Sequence, residues 1–288
     1  MNFKGLAVGA LLLLPGTVSA GDTAAVLSSG GGAYLEAFSA FRDAFGGNME
    51  YTDLSKGKPD LPPGIRTVVA FGGKAAHHPY PHASNIVYCL APGVYVKAPP
   101  QGKAVKVSLI PDFAVTFAKL KQIQPGLKRL RIFWMLADFS RHTEAVKAEG
   151  KKQGIHITAL RITSMEDIPA MLRQALGETD ALWIPPDPVL VTAENLMILK
   201  EYSWANGIPF YGSTKGMARE GAAASIGISF REMGATAAAA AARMNSGESV
   251  PEIVFPVKLE IALNNSAAKR FGLEFPRTVL EEAAYVFP

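Results

Sequence analysis

The stretch DALWIPPDPVLVTAENLMILKEYSWANGIPFYGSTKG, Asp180–Gly216, holds two short apolar runs, ALWIPP and IPFYGS, around a helical pattern over 192–206. A strand, a helix and a second strand joined by short turns form a βαβ unit, whose strands lie parallel in one sheet. Neither run alternates polar with apolar residues, as expected of strands covered on both faces. Pro185 and Pro186 end the first run, and Asp187 follows where the chain leaves the sheet. Ligands of open parallel sheets collect beyond the carboxyl ends of the strands. Asp187 is therefore expected to face a ligand, the competing reading being a cap or Asx turn leading into the next helix.

The same alternation extends outward in both directions. TAAVLSS (23–29), RTVVAFGG (66–73), NIVYCLAP (85–92), KAVKVSLIPD (103–112), RLRIFWML (129–136) and IHITALRI (155–162) read as strands. Apolar spacings of three and four mark helices over 33–47, 113–126 and 142–154, and Ser164–Asp167 opens another with a capping box. Toward the C-terminus, AAASIGIS (222–229) precedes an alanine-rich helix over 231–247, and a last helix covers 266–275. So many units exceed one ordinary sheet, and two doubly wound parallel-sheet lobes are the natural α/β solution. The segment 46–66 is rich in Gly, Pro and Asp with no helical pattern, so one βα unit of the N-terminal lobe reads as truncated. The Pro- and Gly-rich segment 92–103 reads as an excursion or lid.

With 288 residues, 49% apolar and 19% charged, the composition is that of a globular protein with room for two cores. The net charge of +4 is mild and its Lys and Arg are scattered, so no nucleic-acid partner is expected. Residues 1–20 read as a secretory signal peptide: Lys4, an apolar core from Leu6 to Leu14, then Val18 and Ala20 before a cleavage after Ala20. The apolar core is too short for a stable span of about 20 residues, and no later segment offers 18 uninterrupted apolar residues, so the mature chain is expected to be an exported, soluble protein of the periplasm. Cys89 is the single cysteine, so no intrachain disulfide forms, and its apolar strand makes it a buried hydrophobe.

The residues expected at the carboxyl ends include Ser28-Ser29-Gly30, Gly72-Gly73-Lys74, Asp138-Phe139-Ser140, Asp187 and Ser213-Thr214. The loop SSGGG, before a helix, offers backbone N–H groups and two hydroxyls suited to a carboxylate. It lacks the order of a dinucleotide or Walker loop, and no nucleophile elbow or His-Glu-x-x-His occurs, so no cofactor and no enzyme are expected. A hydrolase built on Ser28 or Ser29 would need a His that nothing in the sequence brings to it. His77, His78 and His82 lie within six residues, but two prolines extend that segment, and a solvated loop is expected rather than a metal site.

One combination of motifs carries a resemblance. WIPPDP, NGIPFYG, GAAASIGIS, MGATAAAAAARMNSGESVPE and NNSAAKRFGLEFP resemble the ABC-transporter substrate-binding proteins of the group that includes tryptophan- and tyrosine-binding members. The likeness covers residues 105–288 well and 24–100 less closely. The family's Asp-Pro-Val after the third strand is replaced here by APGVYVK, and its turn at the first crossover by QGKAVKVSLIPD. The resemblance implies a type I periplasmic-binding-protein fold, with three crossovers near Ile110, Lys215 and Pro256. It divides the mature chain into an N-terminal lobe of 21–110 and 216–255 and a C-terminal lobe of 111–215 and 256–288. It implies a solute-binding protein, not an enzyme, acting as a monomer with an inner-membrane ABC permease. Ser28, Ser29 and Gly73 would hold the ligand from one lobe, and Phe139, Ser140, Asp187 and Ser213 from the other, with Phe139 or Tyr34 stacking on it. The alternative is a periplasmic sensor or interaction protein that keeps the fold without a transporter.

Overall fold

The computed structural model describes residues 20–46, 49–62 and 64–288, so the expected signal peptide lies outside the described residues apart from Ala20. The chain first builds β1 (Thr23–Leu27), α1 (Gly32–Phe45), β2 (Tyr51–Asp53), β3 (Thr67–Phe71), α2 (Gly73–His77), β4 (Asn85–Cys89) and β5 (Lys103–Val107). These strands join one six-stranded sheet ordered β11-β5-β4-β3-β1-β2, where β11 is Ile253–Val254 from much later in the chain. Every pairing in it is parallel. No helix forms among the described residues of 54–66 or between β4 and β5.

The second lobe follows: α3 (Phe113–Ile123), β6 (Arg129–Trp134), α4 (Thr143–Lys152), β7 (His156–Arg161), α5 (Ile168–Arg173), β8 (Ala181–Trp183), α6 (Ala193–Asn206), β9 (Phe210–Gly212), α7 (Lys215–Arg219) and β10 (Ala224–Gly227). After α8 (Phe230–Asn245) and β11, it is completed by β12 (Glu260–Asn264), α9 (Asn265–Arg270), α10 (Arg277–Glu282) and β13 (Tyr285–Phe287). Its sheet runs β13-β12-β10-β9-β8-β6-β7. Only β10 and β12 pair antiparallel.

The chain passes between sheets three times. The first passage follows β5, through Ser108–Asp112, and the third lies between β11 and β12, near Pro256. The second is not at Lys215. It falls between β10 and α8, at Ile228–Ser229, because β10 is bonded to β9 and β12 of the C-terminal sheet. Residues 216–227 therefore belong to the C-terminal lobe. The strand ASIG is too short and small to announce which of two sheets it enters.

Local signals explain the helix starts. Asp112 caps α3, its Oδ1 accepting from the amides of Ala114 at 2.9 Å and Val115 at 3.2 Å, and Thr192 Oγ1 accepts from the Asn195 amide at 3.2 Å to start α6. The Ser164–Asp167 capping box forms, but on a 3-10 turn, and α5 ends at Arg173 rather than continuing toward Asp180. The alanine run of α8 buries Ala237, Ala238, Ala240 and Ala241 against the N-terminal core that includes Phe38 and Phe41. Gly234 makes the approach to α1 possible, since a Cβ there would collide with the Ala37 carbonyl oxygen. The C-terminal core centres on the fully buried Trp183, Phe117 and Tyr211.

Candidate functional site

A cavity lies between the lobes, beyond the carboxyl ends of β4, β6 and β8 and beside the first passage. Its N-terminal wall is Ala91, Pro92 and Tyr95, with Lys106 of β5; Ser108, Leu109 and Ile110 form its back; Leu136, Phe139, His142, Pro185, Pro186 and Asp187 form its C-terminal wall. Its volume is about 30 Å³. A single water needs roughly 10–15 Å³ measured in this way, whereas small-molecule sites run to about 300 Å³ or more. The lobes are therefore drawn together around a water-sized space.

Asp187 is 3% exposed, and its carboxylate is fully engaged. Oδ2 accepts from the amides of Met135 at 2.6 Å and Leu136 at 2.8 Å, just past the end of β6. Oδ1 accepts from Val189 at 3.0 Å and Leu190 at 3.1 Å in its own turn. One side chain thus closes an Asx turn and ties the β8–α6 connection to the end of β6. With four backbone donors on two oxygens, it borders the cavity as a staple between loops, which corrects the expectation that it faces a ligand.

Phe139 also borders the cavity, but it is 4% exposed and its ring packs 5.0 Å from Trp134 and 6.1 Å from Trp183 in the aromatic core. Ser140 is exposed and its Oγ accepts from Trp134 Nε1 at 3.1 Å, which fixes the indole. Ser213 is buried at the end of β9, its hydroxyl 4.0 Å from Met217 Sδ. Neither Ser140 nor Ser213 lines the cavity.

Ser28 and Ser29 follow β1, two strands from β4 and about 10 Å along the row, and Gly73 follows β3, the neighbour of β4. Ser28 Oγ accepts from the Ala75 amide at 3.0 Å, so the hydroxyl holds the first turn of α2. Gly72 has φ 98°, and a Cβ on it would press against Ser28 and the Tyr34 ring. Ser29 is half-buried beside them. Gly73 lies against Val94, whose γ-carbon is 3.6 Å from the position a Cβ would take. The segment 91–100 thus fills the ground between this cradle and the opposite lobe.

Asp53, at the end of β2, was not anticipated. Its carboxyl accepts from the Ser55 hydroxyl at 2.7 Å and amide at 2.9 Å. These bonds, with a further one from the Gly30 amide, hold it below the usual carboxylate range against the opposing effect of burial. A Cβ on Gly30 would sit 2.5 Å from Asp53 Oδ2. The SSGGG loop therefore has a fixed negative charge beside it, which opposes an anion there and favours a cationic group. The signal was present in the sequence as an acidic residue ending TD, but without a recognised strand it had no position.

The remaining expectations fall away from the cavity. Burial pushes the Cys89 thiol far up, so it stays protonated in the N-terminal core. His78 packs 5.2 Å from the Tyr80 ring, and among the described residues no group of three His, Cys, Asp or Glu is placed to hold a metal. No helix among the described residues is long and apolar enough to cross a membrane.

Two sheets, three passages and a cavity at facing carboxyl ends are the architecture of a two-lobed binder, and the model of the ABC transporter substrate binding protein family matches residues 115–287. The chain belongs to that family. It is a family of substrate-binding proteins, not of enzymes. Solved structures share the type I periplasmic-binding fold. An ABC domain in complex with L-Trp from Streptococcus pneumonia is 16% identical, with TM-score 0.61 over 92% of this chain and 100% of the other. CD0873 of Clostridium difficile, described as a substrate binding protein with adhesive properties and solved ligand-free and open, is 17% identical with TM-score 0.65, over 92% and 98%. A conserved domain protein of Vibrio cholerae is 16% identical with TM-score 0.63, again over 92% and 98%. None of the curated proteins matches the chain in sequence.

Proposed function

We propose that this substrate-binding protein is the periplasmic capture component of an ABC-type importer, closing its two lobes on a small polar solute and handing it to an inner-membrane permease. The observation that carries the reading is the position of the cavity: between the lobes, at the carboxyl ends of β4, β6 and β8, beside a passage able to act as a hinge. Amino acids and related carboxylates are the favoured solute class. Asp53 refines the choice toward a zwitterion, because an ionised carboxylate beside Gly30 attracts an ammonium to the N-terminal lobe and repels a simple anion. Ser28, Ser29 and Gly73 would meet the solute on that side. Phe139, Ser140 and Ser213 would bound it on the other once the lobes part, with Asp187 holding the loop in place.

The protein works as a monomer, and it binds no nucleic acid, the second of these supported by its mild, dispersed charge. The segment before Gly21 serves as its cleaved export signal. The water-sized cavity gives weight to a second reading, a periplasmic sensor or interaction protein that has kept the fold without a transporter.

Thermal unfolding of the chain from Gly21 onward, against amino acids, short peptides, organic acids and sugars, separates the two. A solute at about 100 times its dissociation constant adds about 2.7 kcal/mol and raises the midpoint. A rise with amino acids supports capture. A flat response from a cooperatively unfolding sample favours the second reading.

A further inference from the structure

We infer that Tyr95 gates the cleft: its ring, carried across by the segment 91–100, latches the empty lobes together and must be displaced before any solute larger than water enters. The inference rests on the reading of this cleft as the solute site.

Four observations place Tyr95 in that role. First, the chain turns out of β4 under constraint. Leu90 has φ 53°, the left-handed region that bulky residues rarely adopt, and is the one such non-glycine among the described residues. Secondly, Gly93, at φ 75°, brings the tip of the segment against the other lobe, where a Cβ would lie 3.5 Å from Leu136 Cδ2. Thirdly, the segment is pinned in its own lobe. The Val94 amide donates to the Ala91 carbonyl at 3.2 Å, and the Val96 amide donates to the Tyr88 hydroxyl at 3.3 Å. Fourthly, two cations lie over the Tyr95 ring. Lys106 Nζ, from β5 of the same lobe, is 4.0 Å from its centroid, and the Arg141 guanidinium carbon, from the opposite lobe, is 4.3 Å away.

A cation over an aromatic face is attracted by the ring quadrupole, and the attraction strengthens where water is excluded. Lys106 is 8% exposed, so this contact forms in partly dry surroundings. The Arg141 contact is the one cation–ring contact among the described residues that joins the lobes. The half-buried ring itself borders the cavity and leaves it at about 30 Å³. Solute and ring therefore compete for the same space, and the ring sets both the threshold for opening and the size admitted.

The test reads lobe separation without any ligand. Spin labels are placed on Lys56→Cys and Lys147→Cys, two exposed sites on different lobes, in the chain from Gly21 onward; Cys89 is fully buried and stays unlabelled. The unsubstituted background gives one narrow distance by pulsed electron paramagnetic resonance. Tyr95→Ala and Arg141→Ala each lengthen and broaden it, and Tyr95→Phe, which keeps the ring face, shifts it less than Tyr95→Ala. Arg141 is exposed, so its variant folds even if truncating Tyr95 disturbs the segment. The gate is overturned if the background distribution is already broad, if either truncation leaves it unchanged, or if Tyr95→Phe shifts it as far as Tyr95→Ala. Because no solute is present, a failed solute screen with the latch intact sinks the capture reading alone, and a broad background sinks the gate alone.

Discussion

The two walls of the cleft are built on different principles. The C-terminal wall follows the ends of regular strands, and one buried carboxylate, Asp187, satisfies four amides where the ends of β6 and β8 meet their loops. The N-terminal wall comes from an irregular segment, 91–100, placed by a strained Leu90, a left-handed Gly93 and a ring under two cations. One wall is fixed by hydrogen bonds internal to its lobe; the other is pinned in its own lobe at Val94 and Val96 and in addition makes contacts that reach across, at Gly93 and Tyr95. The difference teaches where motion can occur: bonds within a lobe survive opening, whereas contacts between lobes are those that opening breaks.

The largest effect should come from the fixed wall. Asp187→Ala orphans four amides, one in a buried bond and three in partly buried ones that water can reach. With about 1–3 kcal/mol for a buried group left unsatisfied and less for the others, a loss on the order of 3–5 kcal/mol in chemical denaturation is expected. A melting temperature equal to that of the unsubstituted chain would erase the distinction between the walls. Gly234→Ala comes next, at about 1–3 kcal/mol, because the added methyl meets backbone of α1 that cannot rotate away. It should destabilise without altering the cleft, which makes it a control for stability effects on binding. Ser28→Ala removes the hydroxyl that holds the start of α2, with an expected loss of about 1 kcal/mol. If solute affinity falls while stability holds, Ser28 serves a ligand more than a helix.

The smallest effects are read as pH dependence. At Asp180 burial raises the pKa, but the Arg129 guanidinium and the Lys128 and Arg129 amides outweigh it, and the net shift is downward. Its stabilisation is full above the unfolded value near 3.8 and is lost as pH falls through the lower folded value. Glu260, near the third passage, has the opposite sign. Burial raises its pKa, Lys215 lowers it and Glu36 raises it. Its contribution is full below the unfolded value near 4.5 and is lost as pH rises through the raised one. Glu260→Gln should therefore flatten the stability profile above pH 4.5, while Asp180→Asn flattens it below 3.8, both measured by urea unfolding across pH. Identical profiles for the two variants would contradict these assignments.

Much of the fold was legible because continuous apolar strands and helical spacing repeat through the chain, and ALWIPP–helix–IPFYGS contains a complete unit. What stayed hidden lacked such patterning. The strand ASIG could join either sheet, and its antiparallel partner β12 decides the matter from almost forty residues away. β2, β11 and β13 are two or three residues long, too short for a period to show. For the site, the carboxyl-end rule located Phe139 and Asp187 at the cavity, but chemistry at a strand end does not reveal whether a side chain turns outward or inward. Asp187 turned inward to its own loops. Tyr95 and Arg141 were missed because their meeting depends on the path of 91–100 and on how two lobes face each other, neither of which leaves a local trace.

The most direct test of the central claim is hydrogen–deuterium exchange of the chain from Gly21 onward, with and without a saturating amino acid taken from the thermal screen. Binding of a solute between the lobes predicts changed exchange on both walls at once, at 91–96, where the ring is displaced, and at 108–110 and 136–142, with the outer faces of α4 and α6 unchanged. A change confined to one lobe, or none at any of the three segments, would contradict it.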